Sequence, residues 1–296
     1  MATVRSGILN IFKPAGLSSF AGVRKIRRAT AVEPVGHGGT LDPSAEGVLP
    51  ILLGRATRLT EFVHEWPKTY LATLQLGAVS ETHDGEGRVT QAGDATAISA
   101  EHIRLVLPEF TGRISQVPPM HSALKHGGEA LYRKARRGEV VERVARAVEI
   151  SLLRLVEHGR AAGHCQLEII CGKGMYVRSL AHDIGARLGC GAYLAALVRT
   201  AFGPLRLSEA ASVQALVDAG PAWDRWLLPM DLPLRDWPAV TLEDRRVVAI
   251  RHGRSIPTPE ASTPGRYRLL DRRGELLAWG TVDSARIFQP RAVFAS

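Results

Sequence analysis

The segment GHGGTLDP, from Gly36 to Pro43, holds three glycines, one histidine and one aspartate within eight residues. Glycines permit backbone conformations that other residues avoid, and they let another group approach the chain closely. Asp42 would therefore be presented on a loop, and a presented carboxylate can act as a nucleophile on an electrophilic carbon. The simpler alternative is ordinary structure, because Asp-Pro pairs form turns and an aspartate before a helix is a common N-cap.

A second chemically informative residue lies in a predicted helix between Met175 and Leu188. The helix is indicated by an apolar stripe with a spacing of four residues, formed by Tyr176, Leu180, Ile184 and Leu188. Gly189 is placed to end it. Arg178 lies near its start, where a cation opposes the helix dipole. We therefore expect an anion close to Arg178.

Three alternating segments predict the strands that must position these groups: KTYLATLQLG, HCQLEIIC and YLAALVRTAFGPL. The first begins at Lys68 and contains Tyr70, which could be either a core aromatic or a ring exposed to a ligand. Cys165 and Cys171 fall on the apolar side of the second strand. We therefore expect them to be buried core residues in a reducing compartment.

The stretch from Lys125 to Arg146 carries seven Lys or Arg residues against three Glu, with Tyr132 inside it. This interleaving is typical of RNA-contacting surfaces, since rings stack on bases and cations neutralise phosphates. A polar helix with internal ion pairs is an equally good interpretation of the pattern alone. The candidate contacts to an RNA backbone are Lys125, Arg133, Lys134, Arg136 and Arg137.

Composition sets outer limits on function. The 296-residue chain has a formal net charge of +9, which favours a polyanionic partner, although an Arg-rich composition alone could produce it. Hydrophobic residues make up 45% and charged residues 23%, as in soluble globular proteins. No apolar run is long enough to span a bilayer and the N-terminus has no signal-peptide pattern, so we expect a cytoplasmic protein.

A domain boundary is predicted near residue 230, where the pattern is interrupted by Pro229, Pro233 and Pro238. Residues 1–230 would form the main domain and residues 231–296 a small one. Two alternating runs around the tetrapeptide DRRG, which begins at Asp271, predict a β-hairpin in this small module.

Five motifs in the same order give the chain a resemblance to bacterial TruB-type tRNA pseudouridine synthases. They are GILNIFKPAGLSS, GHGGTLDPSAEGVLPILLGRATRLT, KTYLATLQLG, QVPPMHSALKHGGEALYRKARRGE and GKGMYVRSLAHDIGARLGCGAYLAALVRT. Together they cover most of residues 7–200. One departure is Phe12, which stands where the family usually has an acidic residue before Lys-Pro. The C-terminal module resembles the PUA-like tail of many bacterial members.

The resemblance implies an activity and a set of site residues. The activity would be conversion of the T-loop uridine of tRNA, U55, to pseudouridine, with the tRNA T stem-loop as partner and a monomer sufficient. Asp42 would be the nucleophile, Tyr70 the ring that stacks on the base, and Arg178 the cation that holds Asp42. His37 would help to flip the base. The remaining substrate contacts would be Lys13, Tyr176, Leu197 and Arg199.

The resemblance also implies the pseudouridine synthase fold. This is an α+β architecture in which a mixed, largely antiparallel sheet, helices and loops surround a central cleft. Residues from about 110 to 146 would help to grip the tRNA, and the PUA-like β module would follow as an RNA-binding domain.

The implied reaction breaks a C–N glycosidic bond and forms a C–C bond to the same base, so no atom enters or leaves. Neither a cofactor nor a metal is expected, in agreement with a sequence that lacks GxGxxG, P-loop and metal-ligand patterns. Attack at the ribose C1′, attack at the base and formation of a glycal all remain open for Asp42. Each route needs the ionised carboxylate, which a nearby Arg178 would stabilise.

Two other functions compete with this one. A non-catalytic tRNA-binding or tRNA-folding protein would need the same charge and C-terminal module, but not Asp42, Tyr70 and Arg178 together. A glycoside hydrolase would need a second carboxylate, for which Glu46 and Asp84 are available. Glu46 falls in a helix-start pattern, however, and Asp84 in an HDG turn. The sequence therefore favours the tRNA-modifying enzyme.

Overall fold

The computed structural model describes residues 5–122, 124–159 and 163–294. The strands are β1 (Gly7–Lys13), β2 (Val35–His37), β3 (Glu46–Leu53), β4 (Lys68–Leu76), β5 (Ala78–Ser80), β6 (Val89–Gln91), β7 (Gly112–Gln116), β8 (Lys125–His126), β9 (Glu129–Ala130), β10 (Arg146–Gly159), β11 (His164–Cys171), β12 (Ala192–Phe202), β13 (Leu205–Arg206), β14 (Ala211–Ser212), β15 (Leu227–Leu228), β16 (Ala239–Thr241), β17 (Ile256–Pro257), β18 (Gly265–Leu270), β19 (Leu276–Val282) and β20 (Ile287–Val293).

The helices are α1 (Ser19–Thr30), α2 (Thr60–Glu65), α3 (Ala100–Val106), α4 (Leu131–Arg136), α5 (Val177–Leu188), α6 (Val213–Asp218) and α7 (Asp244–Arg251). Short 3-10 helices cover Gly54–Leu59, Leu107–Phe110, Leu207–Glu209, Gly220–Trp226 and Leu232–Leu234. Within the described ranges, no helix combines the length and the apolar character that crossing a bilayer requires.

The main sheet runs in the order β14-β1-β3-β12-β4-β11-β10-β7. The pairs β1/β14 and β3/β12 are parallel, and the other neighbours on this path are antiparallel. The expected α+β architecture with a mixed, largely antiparallel sheet is therefore confirmed. A second sheet, in the order β16-β18-β19-β20-β17, lies near the C-terminus and includes the predicted hairpin between β18 and β19.

Strands β1 and β3 read as continuous apolar runs because both of their faces are covered. Alternate side chains of a strand point to opposite faces. Leu9 and Ile51 pack with Val23 and Ile26 of α1, whereas Ile8 belongs to a second cluster on other residues of the same strands. These two strands therefore form a rigid base beside β2, from which the GHGGTLDP segment departs before it returns at β3.

Helix α5 packs its apolar stripe into the largest core cluster. Leu180 and Ile184 are buried there with residues of β4 and β11, including Leu74 and Leu167. The helix ends at Gly189, whose φ of 76° is left-handed, as the sequence predicts. Because α5 begins at Val177 rather than at residue 175, Arg178 occupies its first turn. Cys165 and Cys171 are buried in the same cluster, as expected.

The C-terminal sheet is joined to the main body by aromatic and charged contacts. The ring of Phe62 in α2 lies 5.2 Å from that of Trp237 and 5.1 Å from that of Trp279, edge to face in both cases. Arg58 donates a hydrogen bond of 2.6 Å to the carbonyl oxygen of Val293, and its guanidinium lies over the ring of Phe294. These contacts hold the second sheet against α2 and the 3-10 helix that precedes it.

Two sequence predictions about local structure are wrong. The sequence pattern predicts a helix from Ser208 to Ala219, but the helix α6 begins only at Val213. Ala211 and Ser212 instead pair with β1 as a short parallel strand, and the Ser212 hydroxyl then caps α6. Glu46 does not start a helix but begins β3, whose apolar residues lie in the sheet interior.

Candidate active site

The GHGGTLDP segment leaves the sheet after β2 and returns at the start of β3. Its glycines make room for the protein's own core. A Cβ atom on Gly38 would lie 2.4 Å from Cγ1 of Val63, and one on Gly39 would lie 2.9 Å from the ring of Phe202. Because larger residues would clash, the loop can pack directly on these side chains, and Asp42 is presented from a fixed backbone.

Lys13 holds the backbone of this loop. Its Nζ donates hydrogen bonds of 2.9, 2.7 and 3.3 Å to the carbonyl oxygens of Pro14, Leu17 and Pro43. Its side chain is fully buried at the end of β1. Burial and, after it, the charge of Arg199 lower the pKa of Lys13 to about 8, so the ammonium form still dominates at neutral pH. Lys13 therefore ties the end of β1 and the segment after it to Pro43, the residue that follows Asp42.

Arg199 of β12 supports the same loop from another strand. Its Nε, Nη1 and Nη2 donate hydrogen bonds of 2.7, 3.2 and 3.2 Å to the carbonyl oxygens of Val48, Thr40 and Gly39. The residue is 1% exposed. The sequence groups Lys13 and Arg199 with the substrate contacts, but the geometry directs their donors to main-chain carbonyls. We therefore assign both residues to positioning of the loop.

Arg178 lies between two carboxylates. Its Nε is 2.9 Å from Oδ2 of Asp42, and its Nη1 is 3.3 Å from Oδ2 of Asp84. The guanidinium also donates to the carbonyl oxygens of Thr82, at 3.4 Å, and His121, at 3.0 Å. The side chain of Asp42 is 37% exposed, whereas those of Arg178 and Asp84 are each 7% exposed. The anion expected beside Arg178 is therefore Asp42, which is the carboxylate open to a ligand.

Asp84 is a site residue that sequence reasoning missed. It does lie in a turn, between β5 and β6, but its carboxylate is buried rather than solvated. Oδ1 accepts hydrogen bonds from the Thr82 hydroxyl and from the backbone N–H of Glu86, and Oδ2 faces Arg178. The HDG motif predicts only the turn, because the cation that makes burial of this acid possible comes from a distant helix.

A cavity of about 530 Å³ opens in front of Asp42. This volume lies within the range of roughly 300–1,000 Å³ that is usual for small-molecule sites. Asp42 and Arg178 line it together with four other side chains that matter below, those of Tyr70, Tyr132, Tyr176 and Leu197. The cavity therefore combines a carboxylate and its partner cation with aromatic and aliphatic walls, as a site for a planar polar ring requires.

A second cavity of about 660 Å³ adjoins the first, and the two share Thr40, Tyr70, Met175 and Tyr176. His37 lines only this second cavity. Burial, with a smaller effect from Arg199, lowers the pKa of His37, so its imidazole is neutral at pH 7. The remaining lining is rich in cationic side chains, namely those of Lys68, Arg146, Lys173 and Arg199.

Tyr70 and Tyr176 form the wall between the two cavities. Tyr70 lies in β4, opposite Arg199 in β12, and burial raises the pKa of its hydroxyl, which stays protonated at neutral pH. The backbone of Tyr176 is fixed by Gln116, whose side-chain amide donates to the carbonyl oxygen at 3.1 Å and accepts from the N–H at 2.8 Å. The sheet therefore holds Tyr70 directly and the backbone of Tyr176 through Gln116, and both tyrosines line the cavity in front of Asp42.

The basic segment is only partly free to bind RNA. Arg137 donates to both carboxylate oxygens of Glu129, at 2.7 and 2.8 Å, and to Glu139 at 2.8 Å. Arg133 donates to the hydroxyl of Tyr132 at 3.3 Å. The side chains of Lys125 and Arg136 lie outside the described part of the structure. Among the candidate backbone contacts, Arg137 is thus already engaged within the protein.

Comparisons with known proteins identify the family of this chain. Residues 27–177 match the model of the TruB family pseudouridylate synthase N-terminal domain, and residues 178–235 match that of the tRNA pseudouridylate synthase B C-terminal domain. The chain is 41% identical to tRNA pseudouridine synthase B of Pseudomonas putida over 297 residues. The matched region covers 98% of this chain and 96% of that one. The corresponding protein of Dehalococcoides mccartyi is 40% identical over 98% of this chain and 97% of its own.

Two solved structures are similar along nearly the whole chain. A Cbf5-Nop10-Gar1 complex matches with a TM-score of 0.72 and 26% identity over 97% of this chain and 84% of that one. An H/ACA RNP bound to a substrate RNA containing 2′-deoxyuridine matches with a TM-score of 0.73 and 25% identity, over 98% of this chain and 85% of that one. The family models and the curated relatives agree, and the chain belongs to the TruB family of pseudouridylate synthases.

Proposed function

We propose that this protein isomerises a uridine in the T stem-loop of tRNA, U55, to pseudouridine, with Asp42 as the nucleophile. The observation that carries the proposal is the ion pair between Arg178 and Asp42 on the wall of a cavity that also presents Tyr70. The curated relatives, which are named tRNA pseudouridine synthase B, support the substrate class.

The proposed reaction uses each of these groups. The guanidinium of Arg178 stabilises the ionised carboxylate of Asp42 and fixes its orientation, while the exposed part of the carboxylate meets the uridine. Asp84 supplies a second negative charge to Arg178, so the cation is held in place even when the charge of Asp42 is consumed in a covalent bond. Asp84 also lines the cavity, but its carboxylate oxygens are occupied by Thr82, Glu86 and Arg178, so we assign it a role through Arg178.

A uridine in a folded T-loop must leave its stack before Asp42 can reach it, which costs a few kcal/mol. The ring of Tyr70 would receive the extruded base in the first cavity. Tyr176 and Leu197 would line its other sides. His37 would face the RNA from the second cavity, whose cationic lining suits adjacent phosphates.

The deciding experiment is site-resolved pseudouridine mapping on a T-arm stem-loop incubated with the pure protein. Modification of U55, absent in the Asp42→Asn variant, is the expected result. Tight binding without any modification would favour a tRNA-binding or tRNA-folding protein instead. Modification at another uridine would support the proposed reaction but would show that U55 is not its target.

Replacing Tyr70 by leucine is expected to lower kcat/KM for the stem-loop by roughly 5- to 150-fold, because stacking of a base on an aromatic ring contributes about 1–3 kcal/mol. Tyr70→Phe keeps the ring and should retain most of the rate. Tyr193→Leu is the control, since this tyrosine of β12 lines neither cavity. Equal losses in the leucine and phenylalanine variants would contradict stacking and point to the hydroxyl.

We also propose that the segment around α4 contacts the RNA backbone. A variant with glutamine at positions 133, 134, 136 and 137 should bind tRNA more weakly, with a slope of log Kd against log salt concentration reduced by about 0.7 per lost phosphate contact. Arg137→Gln alone should change the slope little, because Glu129 and Glu139 already occupy its donors. An unchanged slope in the fourfold variant would rule this surface out.

The remaining proposals concern the whole chain. Residues 1–230 would form the catalytic domain and residues 231–296 a PUA-like RNA-binding domain held against α2 by Phe62. The ion pair and both cavities are built from one chain, so a monomer suffices for the proposed activity. Because its substrate would be bacterial tRNA, we place the protein in the cytoplasm.

A further inference from the structure

Two histidine rings lie stacked beside the proposed active site. The centroids of His83 and His182 are 4.1 Å apart, and their planes differ by 3°. His83 belongs to the turn between β5 and β6, and His182 lies in α5. Nδ1 of each ring is buried without a hydrogen-bond partner among the residues that the structure describes. The rings therefore meet through their flat faces and not through a hydrogen bond.

The stack joins the same two elements as the ion pair between Arg178 and Asp84. His83 directly precedes Asp84 in the turn. His182 follows Arg178 by four residues and therefore lies one helical turn further along the same face of α5. The turn and the helix are thus connected by the charged pair, by the hydrogen bond from Arg178 to the carbonyl oxygen of Thr82 and by the stacked rings.

The backbone of His83 needs such support. Its φ of 62° is left-handed, a conformation that few residues other than glycine adopt. Its N–H donates to the carbonyl oxygen of Ser80 at 3.0 Å, and its carbonyl oxygen accepts from the N–H of Leu194 at 3.0 Å. These bonds anchor the main chain of His83 to β5 and β12, whereas its ring contacts His182 of α5.

Burial and the charges around the stack favour a neutral ring at His83. Burial, followed by the effects of His182, Arg143 and Arg178, lowers the pKa of His83 to about 4, against the opposing effect of Asp84. On the helix side, Asp183 neighbours His182 and has a pKa raised by its own burial. At neutral pH His83 therefore behaves as an uncharged aromatic ring, and it adds no repulsion toward Arg178.

We propose that His83 and His182 are positioning residues that hold the turn between β5 and β6 against α5. They thereby keep the side chain of Arg178 at its observed distances from Asp84 and Asp42. The proposal rests on the function proposed above. The stack touches neither the substrate cavity nor Asp42, so it acts only through the Arg178–Asp84 pair. A displacement of that pair by about 1 Å can lower a rate by up to about a hundredfold.

Variants at the two positions separate stacking from other effects. His182→Ala removes the stack and is expected to lower kcat by about ten- to a hundredfold with KM for tRNA nearly unchanged. His182→Phe keeps a flat ring at the same place and should restore most of kcat. His83→Asn removes the other ring while tolerating the left-handed backbone, so it should resemble His182→Ala. Thermal unfolding of each variant identifies any that fail to fold.

A double-mutant cycle tests whether the stack acts through the ion pair. If it does, His182→Ala adds little to the loss already caused by Asp84→Asn, because both changes release the same guanidinium. If the decreases in kcat of the two single variants multiply in the double variant, the stack does not act through the ion pair. A wild-type kcat in His182→Ala would overturn the proposal outright. So would a phenylalanine variant that folds normally but is as slow as the alanine variant.

Hydrogen exchange provides a readout that does not depend on the proposed activity. In His182→Ala, the backbone N–H groups of the turn, such as that of Glu86, should exchange faster, while those in the centre of β4 should not change. Unchanged exchange throughout the turn would refute the positioning role. If the wild-type protein makes no pseudouridine but exchange responds as expected, the proposed function fails and the role of the stack in holding the turn stands.

Discussion

Asp42→Asn is expected to lower pseudouridine formation by at least about a thousandfold, because it removes the nucleophile and leaves only binding and orientation. The fold should persist, since the asparagine amide is isosteric and Asp84 still neutralises Arg178. Single-turnover kinetics on the T stem-loop measure the rate, and filter binding measures the affinity. The affinity should stay within a few fold of the wild type, because the cavity walls and the cationic surfaces are unchanged.

Asp94→Asn is a matched control for this experiment. Asp94 is also a loop carboxylate, but it is exposed, hydrogen bonded to the N–H of Thr96 at 2.8 Å, and outside both cavities. This variant should turn over tRNA at the wild-type rate. A wild-type rate in Asp42→Asn would show that Asp42 is not the nucleophile.

Arg178→Lys is expected to lower turnover by about a hundredfold, although the positive charge is kept. A guanidinium can address Asp42 and Asp84 with separate N–H groups of a planar fork, whereas an ammonium offers a point charge that cannot span both in the same geometry. Most of the loss should appear in kcat, because Arg178 orients the nucleophile and is almost fully buried. Wild-type kcat in this variant would mean that charge alone is sufficient.

Arg178→Met separates stability from catalysis. Removing the cation leaves the carboxylate of Asp84, which is 7% exposed, without its charged partner. Losing one partner of a buried ion pair costs about 3–5 kcal/mol of unfolding free energy. Adding Asp84→Asn should recover much of this stability in urea unfolding without restoring the rate. Recovery of both would assign Arg178 a purely structural role.

Local patterns in the sequence predicted the parts of the site that depend on short stretches of chain. The glycine-rich loop around Asp42, the alternating strand that carries Tyr70 and the stripe of α5 with Arg178 at its start all follow from spacing within a few residues. The expected anion next to Arg178 followed from the helix dipole. The strand and the helix are local features, and both are present in the structure.

The features that sequence reasoning missed arise from contacts between distant segments. Asp84 looks like an ordinary turn residue until α5 brings a cation to it, and His83 meets His182 only because the same helix packs there. Lys13 and Arg199 belong to motifs that suggest substrate contact, yet burial turns their donors toward carbonyls of the loop. Periodicity in the sequence predicts which face of a strand is buried, but not which group it will meet.

Lys13 and Arg199 hold the loop around Asp42 through hydrogen bonds to its peptide carbonyls. Thr40 and Pro43 both line the cavity, and the bonds to their carbonyl oxygens do not depend on their side chains. Their side chains can therefore diverge among descendants of this protein, and with them the choice of RNA, while the reactive carboxylate stays where it is.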